Sequence, residues 1–429
     1  MKYSIKSLYD RYNECTGVST DTRKIEPGNM FFALKGPNFN GNKYALQAIE
    51  NGAKYAVVDD PSFGGEGDGC ILVDDGLEAL QELATYHRSR FEGHVLAITG
   101  SNGKTTTKEL ISRVLATSVE VHCTSGNLNN HIGVPLTLLS MSLDTEIAVV
   151  EMGANHLGEI ARYCEIAKPT HGIITNLGTA HVGEFGGREN LIRAKSELFD
   201  FLRKNDGVPF INSRDEVLSN MARRFQDPVL FPDKNCQLKS SAPFVQYEDA
   251  DGILHNTHLV GGYNYMNASA ALCVGAYFDV DMQKAMEAID TYRPENNRSQ
   301  IVTLGTNTVI LDAYNANPDS TRAALDNLST FDNPKKLALL GDMKELGEYS
   351  AGEHSGINRH VSESKIPQAF FVGEEYLQAL GSPEGRVFLS VDELISFLKK
   401  HPISNSTVLI KGSRSMAMEK LTEIKEIWN

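Results

Sequence analysis

Apolar and polar positions alternate in the middle of the chain in the manner of a parallel sheet covered by helices. Three short apolar runs, Val95 to Thr99, Ile147 to Glu151 and His171 to Asn176, are separated by longer stretches of helical periodicity. A strand that is buried on both faces has a continuous apolar run, because both of its side-chain rows contact other elements. The pattern therefore predicts an α/β region with parallel strands.

The region before this sheet has shorter elements. Strand-like runs at Met30 to Leu34 and Ala56 to Val58 flank a helical stretch from Lys43 to Asn51, and a glycine-rich turn spans 64–69. Such short elements, separated by turn residues, indicate a small α/β domain that ends near Phe91.

The last region repeats the alternation of the middle one and predicts a second doubly wound sheet. Pro294 and its polar neighbours interrupt the pattern from Arg293 to Arg298, so we place a boundary there. The predicted fold is α/β with three domains, at 1–92, 93–297 and 298–429. The predicted elements of the last domain are strands at Val309 to Asp312, Leu337 to Gly341, Ala369 to Val372, Val387 to Leu389 and Val408 to Lys411, and helices at Ser320 to Leu328, Val391 to Lys400 and Met416 to Ile427.

Composition and charge narrow the classes of function. Of 429 residues, 41% are hydrophobic and 22% are charged, which excludes a disordered or low-complexity chain. Lys and Arg number 41 against 55 Asp and Glu, and the net charge of −14 opposes general attraction to nucleic acid or to an anionic membrane surface. We therefore expect no nucleic-acid partner and, because the apolar runs are too short to cross a bilayer, no membrane insertion.

The six cysteines are scattered along the chain without a Cys-x-x-Cys pair. This spacing fits reduced thiols better than a disulfide framework or a zinc site. The stretch from Met1 to Tyr12 carries charges and has no apolar core, which predicts neither a signal peptide nor a lipid anchor. The expected location is the cytoplasm.

The strongest local motif is a buried strand followed by a glycine-rich loop and an amphipathic helix. Backbone N–H groups and the positive end of the helix would face phosphate oxygens, Lys104 would reach the outer phosphates, and a threonine hydroxyl would contact Mg²⁺. Ile98 stands where the usual motif has its first glycine, which leaves the shorter spacing G-x-x-G-K-T. A plain turn with a surface lysine is the alternative, and the flanking strand and helix disfavour it. The predicted nucleotide contacts are Gly100, Ser101, Asn102, Gly103, Lys104, Thr105 and Thr106.

Three further residues are candidates for the same chemistry. Glu151 closes one predicted strand, His181 follows another, and Lys195 lies in a helical stretch. A carboxylate at the carboxyl end of a central strand suits Mg²⁺. Each residue also has an ordinary structural interpretation. Glu151 could be a cap, His181 a loop histidine with its hydrogen bonds satisfied, and Lys195 a solvated lysine on a helix surface. Position alone leaves these alternatives open.

The block from Gly126 to Leu139 is rich in amides. Asn127, Asn129 and Asn130 supply several donors and acceptors within a short loop. The block is consistent with lining a polar ligand or with a plain turn before a helix. Its spacing does not decide between the two.

Taken together, these motifs resemble the Mur ligases, the ATP-dependent amide-bond-forming enzymes of peptidoglycan synthesis. The resemblance covers essentially the whole chain, more loosely at the uridine-nucleotide motifs Ser19 to Arg23 and Phe31 to Gly36. The central motifs, in the family's order, are Thr99 to Thr106, Gly126 to Asn130, Glu151 to Asn155, Asn176 to His181 and Ala194 to Glu197. The motifs that resemble the member adding D-alanyl-D-alanine are Asp312 to Ser320, Gly341 to Gly347 with His354, and Lys411 to Met416.

The resemblance implies an activity and a separate role for each domain. D-alanyl-D-alanine would be joined to UDP-N-acetylmuramoyl-tripeptide through an acyl phosphate formed from ATP. Residues 1–92 would bind the UDP-linked substrate, 93–297 would form the ATP-binding P-loop domain, and 298–429 would form a Rossmann-like ligase domain. We expect the chain to act as a monomer.

The resemblance also implies roles for individual residues. Lys104 and Thr105 would hold the ATP phosphates and a first Mg²⁺, with Glu151 as a further ligand of that ion. His181 and Lys195 would hold a second Mg²⁺, Lys195 after N6-carboxylation. Lys104, His181 and Lys195 form the implied catalytic set. Asn264 and Asn267 would lie near adenine, and Arg298 and Asp312 would be further nucleotide contacts. Contacts with ATP or the dipeptide would come from Tyr314, Asn315 and Asn317.

Other functions stay open. One is a sibling ligase that adds a single amino acid, and another is a folylpolyglutamate synthase, although that enzyme lacks a leading uridine domain. A third is a nucleotide-binding regulator that has lost catalysis. The presence of Glu151, His181 and Lys195 together argues against the regulator, because a pure binder needs no second metal site.

Overall fold

Three mainly parallel α/β sheets follow one another along the chain in the computed structural model. The structure describes residues 4–63, 69–178, 182–381 and 385–429. The predicted α/β fold class is confirmed. The predicted boundaries stay predictions, although each of these three sheets lies within one of the predicted ranges.

The first sheet has four parallel strands in the order β1-β2-β5-β6, and β3 and β4 form a separate hairpin. The predicted helix from Lys43 begins as a 3₁₀ turn over Gly41–Tyr44, and most of the predicted 64–69 turn lies outside the described residues. The elements are β1 (Val18–Ser19), β2 (Met30–Phe32), β3 (Lys35–Gly36), β4 (Phe39–Asn40), β5 (Tyr55–Val58), β6 (Cys70–Leu72), α1 (Ile5–Tyr12), α2 (Ala45–Glu50) and α3 (Gly76–Arg90).

Helices α1 and α3 join this domain to the next one through a shared core. The Tyr12 hydroxyl donates to the Leu139 carbonyl oxygen (2.5 Å), and His87 Nε2 donates to the Met141 carbonyl oxygen (3.0 Å). Since Nε2 carries the proton, His87 Nδ1 accepts from the Tyr9 hydroxyl (3.2 Å). Burial lowers the pKa of His87. A single cluster of buried apolar side chains runs from the first sheet into the second.

The central sheet has six parallel strands in the order β12-β11-β10-β7-β9-β8. The predicted apolar face of the helix after the glycine-rich loop is confirmed, because Leu110, Ile111, Val114 and Leu115 are buried. The elements are β7 (His94–Thr99), β8 (Val121–Cys123), β9 (Ile147–Glu151), β10 (His171–Ile174), β11 (Val208–Asn212), β12 (Val229–Phe231), α4 (Lys104–Leu115), α5 (Gly133–Leu139), α6 (Glu159–Ala167), α7 (Arg188–Lys204) and α8 (Glu216–Ala222).

An antiparallel sheet that the sequence analysis did not anticipate follows the central one. Its strands are β13 (Gln237–Ser240), β14 (Phe244–Glu248) and β15 (Leu254–Val260), before α9 (Tyr263–Tyr277) and α10 (Met282–Asp290). His255 lies between two carboxylates, with Nδ1 2.7 Å from Asp290 Oδ2 and Nε2 3.3 Å from Asp249 Oδ2. These contacts fasten the antiparallel sheet to α10.

The third sheet has six strands in the order β16-β17-β21-β18-β19-β20. Its first strand is antiparallel to the second and the others are parallel, so the predicted doubly wound sheet gains a hairpin at its edge. The elements are β16 (Gln300–Leu304), β17 (Asn307–Asp312), β18 (Lys336–Gly341), β19 (Gln368–Val372), β20 (Val387–Phe388), β21 (Thr407–Lys411), α11 (Pro318–Thr330), α12 (Ser350–Glu363), α13 (Glu374–Leu380) and α14 (Val391–Lys400).

The predicted helix from Met416 to Ile427 is wrong. The segment forms successive 3₁₀ turns, and Ala417 has a φ of 50°. Its apolar residues recur every third position, at Met418, Leu421, Ile424 and Ile427. That spacing matches the three residues per turn of a 3₁₀ helix rather than the 3.6 residues per turn of an α-helix.

Within the described residues, none of the helices has the length and apolar character that a membrane span requires.

Candidate active site

A cleft of about 840 Å³ lies between the central and C-terminal domains. Residues from the glycine-rich loop, from the carboxyl ends of β9 and β10 and from the loops after β17 and β18 line it. Parallel sheets collect their ligand contacts at this edge. The cleft is therefore the candidate active site.

The glycine-rich loop takes a backbone conformation that suits its two glycines. Gly100 has a φ of 141° and Gly103 a φ of 79°, both in the region that side chains disfavour. A Cβ at Gly100 would overlap Thr175 Oγ1, and one at Gly103 would lie 2.8 Å from Asn267 Oδ1. The loop leads from β7 directly into α4, which begins at Lys104. The positive end of α4 therefore faces the cleft.

Lys104 folds back over this loop. Its Nζ donates to the carbonyl oxygens of Gly100 (2.8 Å) and Ser101 (3.2 Å). Removal from water lowers the pKa of Lys104, and the nearby Glu151 carboxylate opposes that shift. The ammonium group therefore lies on the loop itself, and Lys104, Thr105 and Thr106 all line the cleft.

Glu151 ends β9 and is almost completely buried, with 1% of its surface exposed. Its Oε1 accepts from Asn129 Nδ2 (2.8 Å) and from Thr105 Oγ1 (3.2 Å). Among the described residues, its Oε2 has no hydrogen-bond partner. A buried carboxylate oxygen without a donor fits a hard cation such as Mg²⁺, so Glu151 and Thr105 could hold one.

Lys195 lies on α7 and is also 1% exposed, so the interpretation as a solvated helix lysine is wrong. Its Nζ donates to the Ala154 carbonyl oxygen (3.1 Å) and lies 5.3 Å from the centre of the Phe185 ring. Burial, and then the charge of Lys104, lower the pKa of Lys195 to about 7. A substantial fraction of this amine is therefore neutral near pH 7. His181 lies outside the described residues.

Asn264 and Asn267 lie on α9 and line the cleft, as the predicted adenine contacts require. Their amides are already engaged within the protein. Asn264 Nδ2 donates to the Val260 carbonyl oxygen (2.8 Å), and Asn267 Nδ2 donates to Asn264 Oδ1 (2.8 Å). Asn267 Oδ1 accepts from Thr107 Oγ1 (3.0 Å). The bond between Asn267 and Thr107 joins α9 to α4 below the loop. Contact of Asn264 and Asn267 with adenine stays a prediction.

The C-terminal domain contributes the opposite wall. The Arg298 guanidinium stacks 3.7 Å from the centre of the Tyr314 ring, and its buried Nε has no partner among the described residues. Asp312 pairs with Lys411 at 2.5 Å. Asn315 Oδ1 accepts from the Ala316 N–H (2.8 Å). The structure thus brings the predicted residues of this domain to one face.

A second feature of this wall is Asn317, which caps α11. Its Oδ1 accepts the Ser320 N–H, and its Nδ2 donates to Asn102 Oδ1 (2.6 Å) in the glycine-rich loop. The motif histidine His354, by contrast, is fully buried and holds the chain after β18. It donates from Nδ1 to the Ser350 carbonyl oxygen (2.8 Å) and accepts the Met343 N–H at Nε2 (3.0 Å).

Several residues of the site have no role that the sequence predicts. Asn129 contacts Glu151, and Lys411 neutralises Asp312. Lys108 is 2% exposed and donates to the Thr124 carbonyl oxygen (2.7 Å), one turn after Lys104 on α4. The motif blocks contained the first two, but no spacing rule pairs residues so far apart in the chain.

Comparisons with known proteins agree with this geometry. Three family models match the chain: "Mur ligase family, catalytic domain" over residues 14–88, "Mur ligase middle domain" over 98–275 and "Mur ligase, glutamate ligase domain" over 297–414. The UDP-N-acetylmuramoyl-tripeptide--D-alanyl-D-alanine ligase of Bacillus subtilis (strain 168) is 35% identical over 435 residues. That alignment covers 95% of this chain and 92% of the relative.

Two solved structures of MurF ligases are similar to this chain over nearly its whole length. A crystal structure of MurF from Acinetobacter baumannii aligns with a TM-score of 0.85 at 29% identity and covers 99% of both chains. The MurF ligase from Thermotoga maritima, in complex with ADP, aligns with a TM-score of 0.83 at 26% identity. It covers 97% of this chain and 98% of its own.

Proposed function

This chain belongs to the Mur ligase family, and we propose that it joins D-alanyl-D-alanine to UDP-N-acetylmuramoyl-tripeptide, with ATP converted to ADP and phosphate. The observation that carries the proposal is one cleft in which a phosphate-binding loop and a buried carboxylate face a second α/β domain. Relatives named for this reaction match at high coverage. The proposal includes action as a monomer in the cytoplasm.

The first step is transfer of the ATP γ-phosphoryl group to the terminal carboxylate of the tripeptide. The bond between the β,γ-bridging oxygen and the γ-phosphorus breaks as a carboxylate oxygen bonds to that phosphorus, which gives an acyl phosphate and ADP. Lys104 leaves its loop carbonyls and binds phosphate oxygens, while backbone N–H groups at the start of α4 hold the others. The residues position the reactants and stabilise the developing charge.

Two Mg²⁺ ions belong to the proposal and would neutralise phosphate and carboxylate charge when bound. Thr105 and Glu151 are the proposed residues for the first ion, supported by the unpartnered Glu151 Oε2 among the described residues. His181 and Lys195 are the proposed residues for the second.

N6-carboxylation of Lys195 is the remaining part of the metal proposal. The neutral amine attacks CO₂, a nitrogen–carbon bond forms as one C=O π bond of CO₂ breaks, and the nitrogen loses one proton to solvent, which converts the neutral amine into an anionic, carboxylate-bearing ligand. The lowered pKa of Lys195, about 7, supports this reaction because only the neutral amine is a nucleophile. The Ala154 carbonyl oxygen 3.1 Å away orients the nitrogen.

The second step is attack of the D-alanyl-D-alanine amine on the acyl-phosphate carbonyl. A tetrahedral intermediate forms and the nitrogen loses one proton, the carbon–oxygen bond to phosphate breaks, and the amide and inorganic phosphate are left. The C-terminal wall, with Arg298, Asp312, Tyr314 and Lys411, lies opposite the loop and would close the cleft against water. Exclusion of water protects the acyl phosphate from hydrolysis.

Amide formation with different acceptors tests this proposal. Purified protein is given ATP and either UDP-N-acetylmuramoyl-tripeptide or the UDP-N-acetylmuramoyl-dipeptide. Phosphate release and product mass are followed with D-alanyl-D-alanine or with single amino acids at matched concentration. We expect turnover with the dipeptide. Preference for diaminopimelate or L-lysine with a dipeptide-bearing substrate would indicate the sibling ligase, and binding of ATP without turnover would indicate a regulator.

A further inference from the structure

Asparagine residues from three separate segments form a continuous row of hydrogen bonds across the domain boundary. Asn176 follows β10, Asn102 lies in the glycine-rich loop, and Asn317 is the N-cap residue of α11 in the C-terminal domain. Asn176 and Asn102 lie close to each other within the central domain. The Asn102–Asn317 bond of 2.6 Å connects the two domains directly.

The hydrogen bonds of this row that lie within the central domain fix the conformation of the glycine-rich loop. Asn176 Oδ1 accepts the Asn102 N–H (3.0 Å), and Asn176 Nδ2 donates to the Asn102 carbonyl oxygen (2.8 Å). Thr175 Oγ1 donates to the same carbonyl oxygen (2.6 Å). Because both backbone groups of Asn102 are bound, its side chain has a defined direction towards the C-terminal domain.

The orientation of the Asn317 amide is also determined. Its Oδ1 accepts the Ser320 N–H (3.0 Å), and Ser320 Oγ accepts the Asn317 N–H (3.2 Å), which is a complete capping box. An N-cap amide must present its oxygen to the helix, so its NH₂ group points outward. That group meets Asn102 Oδ1, and Asn317 is only 6% exposed.

Neighbouring residues allow the close approach. A Cβ on Gly178 would lie 2.8 Å from Asp319 Oδ2 and 3.3 Å from Asn102 Nδ2. The backbone after β10 therefore passes directly beneath the start of α11. Only a small residue at 178 lets the two domains meet here without moving the Asp319 side chain.

We infer that Asn317 is a positioning residue that docks the C-terminal domain onto the phosphate-binding loop through Asn102, so that nucleotide binding and domain closure are coupled. The inference rests on the proposed binding of ATP by this loop. ATP in the cleft contacts both walls and stabilises the closed arrangement, and the Asn102–Asn317 bond adds to that preference. A neutral hydrogen bond of about 1 kcal/mol corresponds to roughly fivefold in the closed-to-open ratio.

Domain closure is measured in the full chain by energy transfer between one dye on the central domain and one on the C-terminal domain. A nonhydrolysable ATP analogue is added to the wild type, to Asn102→Ala, to Asn317→Ser and to the double variant. Serine keeps a side chain that can cap α11 but is too short to reach Asn102. We expect each single variant to lower the closed-to-open ratio about fivefold, and the double variant to lower it by no more than that.

Ser320→Ala is the matched control, because it removes the other half of the capping box and leaves Asn317 Nδ2 facing Asn102. Ser320→Ala and Asn102→Ala should act independently on the closed-to-open ratio. When the two are combined, the change in that ratio should equal the product of the two single changes. The inference is overturned if Asn317→Ser leaves closure unchanged, if the Asn102 and Asn317 effects multiply to about 25-fold, or if the wild type stays open with the analogue. Closure is read without turnover, so failure of the proposed amide synthesis is a separate result.

Discussion

Asp312 and Lys411 occupy paired positions on the neighbouring strands β17 and β21, and their side chains form an ion pair of 2.5 Å at the edge of the cleft. Lys411 also donates to the Asn315 carbonyl oxygen (3.1 Å), and Asp312 Oδ1 accepts the Ser299 N–H (3.0 Å). Lys411 is almost wholly buried. The pair therefore fixes the loop after β17 to the sheet that carries it.

Replacement of this buried lysine should destabilise the C-terminal domain. Lys411→Met leaves the Asp312 carboxylate without its cation in a poorly hydrated site, and we expect the free energy of unfolding to fall by about 3 kcal/mol. Urea denaturation measures the change. The control is Lys239→Met, whose partner Glu248 is 2.8 Å away at an exposed site, and which should change stability by less than about 1 kcal/mol. Equal effects of the two variants would contradict the assigned role.

Lys104→Ala should abolish most turnover and leave the fold intact. Loss of the loop ammonium removes charge stabilisation from the phosphoryl group, and we expect kcat to fall by about 10²-fold or more. Phosphate release measures the rate and circular dichroism the fold. Arg113→Ala alters an exposed cation on the same helix and serves as the control. Near-normal turnover in Lys104→Ala would refute the phosphate-binding role.

Glu151→Gln should raise the Mg²⁺ concentration needed for half-maximal activity. The amide can keep an acceptor towards Asn129 and Thr105, but the charge and the unpartnered Oε2 are lost. A titration of activity against Mg²⁺ measures the shift, which we expect to be about tenfold or more. Glu146→Gln, just before the opposite end of β9, is the matched control. An unchanged Mg²⁺ requirement would place the metal elsewhere.

Lys195→Ala should be inactive and partly rescued by acetate, which can occupy the vacated ligand position. Activity is measured with and without acetate, with chloride at equal ionic strength as the control. Full activity of Lys195→Ala in CO₂-free buffer would show that neither the lysine nor its carboxylated form is needed.

The wild-type chain should depend on CO₂ in a pH-dependent way. The pKa of Lys195 is lowered to about 7, so the amine is mainly protonated below that pH and mainly neutral above it. At limiting CO₂, activity should therefore rise with pH through 7, and saturating bicarbonate should flatten the profile. The same shift makes folding more favourable as pH rises from about 7 towards the ordinary lysine value, since the unfolded chain then holds more protons. A profile that bicarbonate does not change would contradict carboxylation.

Elements with a clear local pattern were predicted well. The run from Ile147 to Glu151 is β9, and the stretch from Val391 to Lys400 is α14, with the same ends in the structure. The antiparallel strands at 237–260 were not predicted, because their alternation is short and turns interrupt it. The segment after Met416 was assigned to the wrong helix type, since three- and four-residue periods differ little over twelve residues.

The sequence alone determined the order of strand, glycine-rich loop and helix at Lys104, because backbone conformation and short-range periodicity act between neighbours. It also placed Glu151 and Asp312 at strand ends. Only the tertiary structure decided that Lys195 is buried, that Glu151 Oε2 lacks a partner among the described residues, and that Asn317 reaches Asn102. Burial and pairing depend on packing between segments up to 215 positions apart, and no local pattern encodes which distant side chain will remove the water around a group or complete its hydrogen bonds.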